Sequence, residues 1–132
     1  MRLNTRVSGV QGAIAGLRRF GLMTTRALNQ GTKDAAEVAF RQSQVYVPVE
    51  FGALKASGTI KTTSKKDGTD DHTIEYGGAS APYALPVHEI PTAYHAPPTS
   101  WKYLEKAIRE TKAQQSWALR RRMQTATTGW LK

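Results

Sequence analysis

The chain has no cysteine, which excludes a disulfide framework and a thiolate-bound metal and fits a reducing compartment. It has no apolar run approaching the roughly 20 residues that a bilayer span requires. Met1–Gly12 carries two arginines without the apolar stretch of an export signal. The expectation is a soluble protein made in the cytoplasm and used without export, with no membrane partner. Acidic residues are scarce as well, ten Asp and Glu against nineteen Lys and Arg, for a net charge of +9. Such an excess points to an anionic partner, whether nucleic acid, an anionic membrane or the acidic face of another protein.

Recognisable catalytic patterns are also lacking. Gly52 and Gly58 do not have phosphate-loop spacing, and no Lys-Ser/Thr pair follows them. Gly77-Gly78 lacks the third glycine that would open a dinucleotide-binding helix. His88, Glu89 and His95 supply metal-ligand residue types, but a helical zinc-protease site needs two histidines four apart. Here they are seven apart with Pro91 between them. No catalytic residue, cofactor or metal ligand is assigned, and no enzyme is expected.

What remains is a chain of 132 residues with a 39% apolar share, suited to one domain over 1–132 with a modest core. Its charge is segregated: residues 1–47 carry +5, residues 48–98 carry −2 and residues 99–132 carry +6. Basic and acidic regions of this kind can steer subunits onto one another.

The pattern predicts two N-terminal helices. Over 9–29, Val10, Ile14 and Leu17 fall on one face, with Leu28 further on. Gly9, Gly12, Gly16 and Gly21 each weaken that helix by up to ~1 kcal/mol relative to alanine, and Gly31 reads as its break or kink. A second helix over 32–46 has Thr32 as cap and Asp34 at its positive end, with Ala36, Ala39, Phe40 and Ser43 on one side. Pro48 stops it. Residues 59–64, anchored by Ile60, and 72–76, with Ile74 and Tyr76 on one face, read as a hairpin around Asp67-Gly68. Its loop is longer than a two-residue turn and is expected to be mobile. Tyr83–Val87 reads as a third strand at an edge because of Pro86. A loop to Pro98 precedes a long helix over 101–126, capped by Thr99 or Ser100, with Trp101, Leu104 and Ile108 as its apolar face and Ala107 beside it. Residues 127–132 are expected to fray. The fold class is α+β, with N-terminal helices, a small antiparallel β-sheet and a long C-terminal helix.

Arg120, Arg121 and Arg122 lie near that helix end, with Lys112, Trp117 and Trp130 in the same region. They could contact DNA or an acidic partner. Successive helical residues point about 100° apart, so the three cannot form one reading face. Nonspecific anion contact or a protein interface is the better reading of them.

Three blocks carry a family resemblance. Pro48-Val49-Glu50-Phe51-Gly52-Ala53-Leu54-Lys55-Ala56-Ser57 resembles a Pro-Val-Asp-Thr-Gly-x-Leu-x-x-Ser motif. Tyr83-Ala84-Leu85-Pro86-Val87-His88-Glu89 is similar to Tyr-Ala-x-x-Val-His-Glu, and Pro97-Pro98 followed by Tyr103-Leu104-Glu105-Lys106-Ala107 is similar to a proline loop leading to aromatic-Leu-x-x-Ala. Together they resemble the head–tail joining (neck and tail-completion) family of lambda-like tailed bacteriophages. Glu50, Phe51, Gly58 and Pro86 depart from its pattern. The resemblance implies a virion structural protein without enzymatic activity, assembled in the host cytoplasm. It further implies a homo-oligomeric ring, of six copies by analogy with the tail's symmetry or twelve as second choice, between adjacent neck or tail-tube proteins and around DNA in the channel. Glu50, Phe51, Lys55, Ser57, His88 and Glu89 are then the candidate subunit contacts. A small basic nucleic-acid-binding module is the alternative, motivated by the charge and by Arg120–Arg122.

Overall fold

A computed structural model describes residues 8–48, 52–91 and 97–131, the side chains of Trp130 and Leu131 excepted. The chain is an α+β protein in which one long helix supports everything else. Helix α1 runs unbroken over Val10–Tyr46 and is followed by the single turn α2 (Ala53–Ala56). Strands β1 (Thr59–Ser64) and β2 (Asp70–Glu75) form a two-stranded antiparallel sheet. Helices α3 (Ala84–Glu89), α4 (Tyr103–Glu110) and α5 (Lys112–Leu131) complete it.

The two expected N-terminal helices are one, and Gly31 is not a break. No proline interrupts residues 10–46, and the helical weakness of Gly31 is offset by packing, because α5 crosses there. A Cβ on Gly31 would stand 2.7 Å from Leu119 Cδ1 and 3.1 Å from Leu119 Cα. Only a residue without a side chain lets the two backbones approach this closely. The helices run antiparallel. Tyr46 donates its hydroxyl proton to Glu110, Asp34 pairs with Arg122, and Arg26 and Ala27 face Thr125 and Ala126 across a groove. Helix α5 continues to Leu131, beyond the point where the sequence suggests fraying.

The hairpin forms as expected, with Ile60 paired to Ile74. Its loop is tied down rather than mobile. Asn29 on α1 donates Nδ2–H to the Gly68 carbonyl and accepts the Asp70 N–H at its Oδ1, while its carbonyl contacts His72 Nε2. The Asp67 carboxylate closes the turn by accepting from Thr69 N and Oγ1, which lowers the Asp67 pKa.

The expected third strand over 83–87 is instead α3. Proline in a first helical turn lacks only an N–H that would have no partner there, so Pro86 suits this position. The expected single C-terminal helix is also divided. Thr111 is buried and donates its hydroxyl proton to the Ala107 carbonyl, and Gln115 Nε2 reaches back to the Ile108 carbonyl. The Ala107 carbonyl accepts the Thr111 N–H as well as its hydroxyl, and the Ile108 carbonyl accepts the Gln115 side chain, at the junction where α4 gives way to α5. Neither Thr99 nor Ser100 caps α4. Its N-cap is Lys102, in a left-handed conformation, whose N–H bonds the His88 carbonyl.

The core gathers Val47, Leu54, Ala81, Ala84 and Tyr103, with Tyr46, Tyr76, Tyr83, Val87 and Leu104 around it. On α4 the buried positions are Tyr103 and Ala107, whereas Trp101 and Ile108, expected to face inward, are exposed. Beside the core, Tyr76 OH accepts from Gln44 Nε2 and meets the buried Ser43 hydroxyl. Since Ser43 donates its proton to the Phe40 carbonyl, Tyr76 is the donor in that pair.

Gly58 closes this cluster. A Cβ there would stand 2.5 Å from Gln44 Nε2, 2.6 Å from Tyr76 Cε1 and 3.0 Å from Phe40 Cε2. In this chain the Phe40, Gln44 and Tyr76 side chains occupy the room an aliphatic residue would need. Gly58→Ala is therefore expected to cost about 1–3 kcal/mol by overpacking. Calorimetry is expected to show a fall in Tm of roughly 4–12 °C, and an unchanged Tm would disprove the crowding argument.

Candidate functional site

The first motif block forms the corner between α1 and the hairpin. Glu50 and Phe51 lie outside the described residues. Lys55 is exposed, and its carbonyl accepts from Gln44 Nε2. Ser57 has an internal role. Its hydroxyl donates to the Leu54 carbonyl at 2.6 Å and accepts the Gly77 N–H at 2.9 Å, fastening α2 to the segment that leaves β2. The hydroxyl is engaged on both sides, so Ser57 shapes the corner and does not present a free polar group.

His88 and Glu89 close α3. The His88 ring meets Tyr103 edge-on at 4.8 Å, and its Nδ1 lies 2.6 Å from Glu89 Oε1. Its Nε2 is buried without a hydrogen-bond partner. Glu89 itself is exposed. His95 lies outside the described residues, and among the described residues no group of three potential metal ligands comes together. His72 belongs elsewhere, between Thr62 Oγ1 and the Asn29 carbonyl.

The three arginines diverge, as helical geometry requires. Arg122 Nε bonds Asp34 Oδ2 at 2.6 Å, and the Arg121 guanidinium lies 5.4 Å from the Trp117 ring centroid. Arg120 is exposed. The hydrogen bond from Arg122 holds the Asp34 carboxyl below its usual pKa, although burial opposes the shift. Both partners are partly solvated, so water screens the pair and its contribution to stability is small. That contribution is present above the ordinary aspartate range and is lost as pH falls through the lowered pKa. The groove between α1 and α5, about 770 Å³, also holds Arg26 and Arg41, but Asp34 and Glu37 line it too. Its mixed signs make it a poor cradle for an anion.

Two exposed apolar surfaces stand out. One is on the first turns of α1, where Val10 is 49% and Leu17 is 67% exposed. The other is on α3 and the turn before α4, where Leu85 is 70%, Ile90 45% and Trp101 41% exposed. The stripe on α1 follows from its helical spacing, but its exposure among the described residues could not be read from sequence. The α3 surface was hidden by reading 83–87 as a strand. No described helix is long and apolar enough to cross a membrane. No family model, curated protein or solved structure matches this chain.

Proposed function

We propose that this chain is a structural subunit of the neck or tail-completion region of a tailed bacteriophage, forming a homo-oligomeric ring that joins the DNA-filled head to the tail. One observation carries the reading. The three sequence blocks that resemble this family are distant in the chain, yet Leu54, Ala84 and Tyr103, one from each, meet in a single core. A shared core is what a common fold-defining pattern would produce. The exposed apolar surfaces on α1 and α3 fit a subunit that relies on neighbours for part of its stability. Coupling of head to tail then rests on shape and charge, with no chemical step.

Light scattering and negative-stain electron microscopy of the purified protein test this reading. Rings of six copies are expected, with twelve as the second choice. A chain that stays monomeric and never enters purified virions would overturn it. Tight DNA binding by the monomer, falling steeply as salt rises, would favour the nucleic-acid module instead. The divergence of Arg120, Arg121 and Arg122 weighs against that outcome.

A further inference from the structure

We infer that subunits associate head to tail, the first turns of α1 in one copy docking on the α3 surface of the next. The inference rests on the ring reading and specifies its contact. Val10, Ile14 and Leu17 are spaced four and three apart, and the same 3.5-residue repeat continues through Leu28 and Ala35 on the side of α1 that faces the body. The stripe is thus a continuation of the core-facing side beyond the point where the described residues supply a partner. Residues 10–19 are exposed except for the half-covered Gly16. They extend the helix by about 15 Å.

Charge selects the occupant. Residues 8–33 contain four cations and no Asp or Glu, and Arg18 flanks the stripe, whereas Arg19, about 200° round the helix from Leu17, points away from it. Two such arms laid together would set like charges against one another, which disfavours a symmetric arm-to-arm contact. Residues 67–101 are the complement, with five Asp and Glu and no Lys or Arg. On the outer face of the hairpin, that acidity is met by Lys65, 2.9 Å from Asp71, and by Lys61, 4.0 Å from Glu75. On α3 the exposed Glu89 stands between Leu85 and Ile90, with His88 as its near partner. Lys102, whose ammonium lies 5.5 Å from the Trp101 ring centroid, is paired with Glu105 at 3.2 Å, so this surface offers apolar area and the Glu89 carboxylate to an arm that offers apolar area and Arg18.

The two surfaces also lie at opposite ends of the molecule. The arm is the N-terminal end of α1. The α3 surface adjoins its C-terminal end, where the Tyr46 carbonyl accepts the Ser100 N–H and the His88 carbonyl accepts the Lys102 N–H. A contact between different surfaces at opposite ends is heterologous, and its repetition closes a ring or extends a filament.

The test uses the full chain in two variants, Leu17→Asp in the arm and Leu85→Asp on α3. Both positions are exposed, so circular dichroism should stay at wild-type values and Tm should match that of wild type below the concentration at which it assembles. Each variant alone should be monomeric in light scattering at concentrations where wild type assembles. An equimolar mixture should give dimers and nothing larger, because one intact arm meets one intact α3 surface. An Arg18→Glu variant should likewise weaken assembly about tenfold, with partial recovery when mixed with Glu89→Arg. Wild type that assembles while both variants also assemble would overturn this contact and leave the ring reading standing. Assembly by Leu85→Asp alone would indicate an arm-to-arm contact and overturn it too. A wild-type monomer would overturn this contact, and one that also never enters purified virions would overturn the ring reading as well.

Discussion

Tyr103→Ala should lower stability by roughly 3–5 kcal/mol, the largest loss expected from any single truncation here. Tyr103 is almost fully buried, in edge-on contact with the rings of Tyr76 at 5.3 Å and His88 at 4.8 Å. It also packs in the cluster that joins the three sequence blocks. Against a total stability of about 5–15 kcal/mol, truncation would remove a large fraction. Denaturant titration provides the measurement. A loss below about 1 kcal/mol would show that the blocks are not held together through this ring.

The same residue sets an alkaline limit. Burial first, and then the charge of Tyr76, push the Tyr103 hydroxyl up to about 12, whereas a tyrosine in an unfolded chain ionises near 10. Between those values the unfolded chain has released a proton that the folded chain retains, so stability falls as pH rises. The contribution is intact below pH of about 10 and is lost by about 12. Tyr76 is shifted in the same direction by burial, though its bonds with Ser43 and Gln44 oppose the shift. Tyr103→Phe should keep the packing and move the alkaline midpoint upward, which circular dichroism against pH would register.

Gly31→Leu is expected to cost about 3 kcal/mol or more, because a side chain must enter where the α5 backbone already lies. Leu119 Cα would be 3.1 Å from the new Cβ, and Arg122 Cβ 3.4 Å away. Rotation of one side chain cannot relieve contact with a backbone atom, so the helices must separate and strain the Asp34–Arg122 pair. Gly21 provides the control on the same helix. A Cβ there meets nothing within 4 Å, so Gly21→Ala should stabilise by about 0.5–1 kcal/mol through propensity alone. Opposite signs in thermal unfolding would establish that packing and not backbone preference decides at Gly31. Two changes of the same sign would overturn that account.

The parts of the fold that were legible in sequence are those decided locally. The hairpin rested on the Asp67-Gly68 turn and on Ile60 and Ile74 sharing a face, and the end of α1 rested on Pro48. The errors came where distant residues decide. Gly31 looked like a break because its neighbour Leu119 lies 88 residues away. Tyr83–Val87 looked like a strand because aromatic and β-branched residues around Pro86 fit an edge as well as a helix start. Trp101 and Ile108 outweighed Tyr103 as the apparent inner face of α4, since the partners that bury Tyr103 come from α1, α2 and α3. In the candidate site, the divergence of the three arginines followed from helix geometry. The internal role of Ser57 did not, because it depends on Gly77 crossing from beyond the hairpin.

The continuity of α1 gives the chain the mechanics of a lever. Its 37 residues make a rod of about 55 Å, so a tilt of about 5° at the Tyr46 end carries the Val10 end through about 5 Å. That sweep equals a whole helical turn, enough to shift one residue's place along a neighbouring surface to the next turn. The contacts along the shaft, Gly31 under Leu119, Asp34 with Arg122 and Tyr46 with Glu110, therefore act as bearings. They fix the angle at which the tip is presented, and hence, in the proposed ring, the angle through which each successive copy would turn.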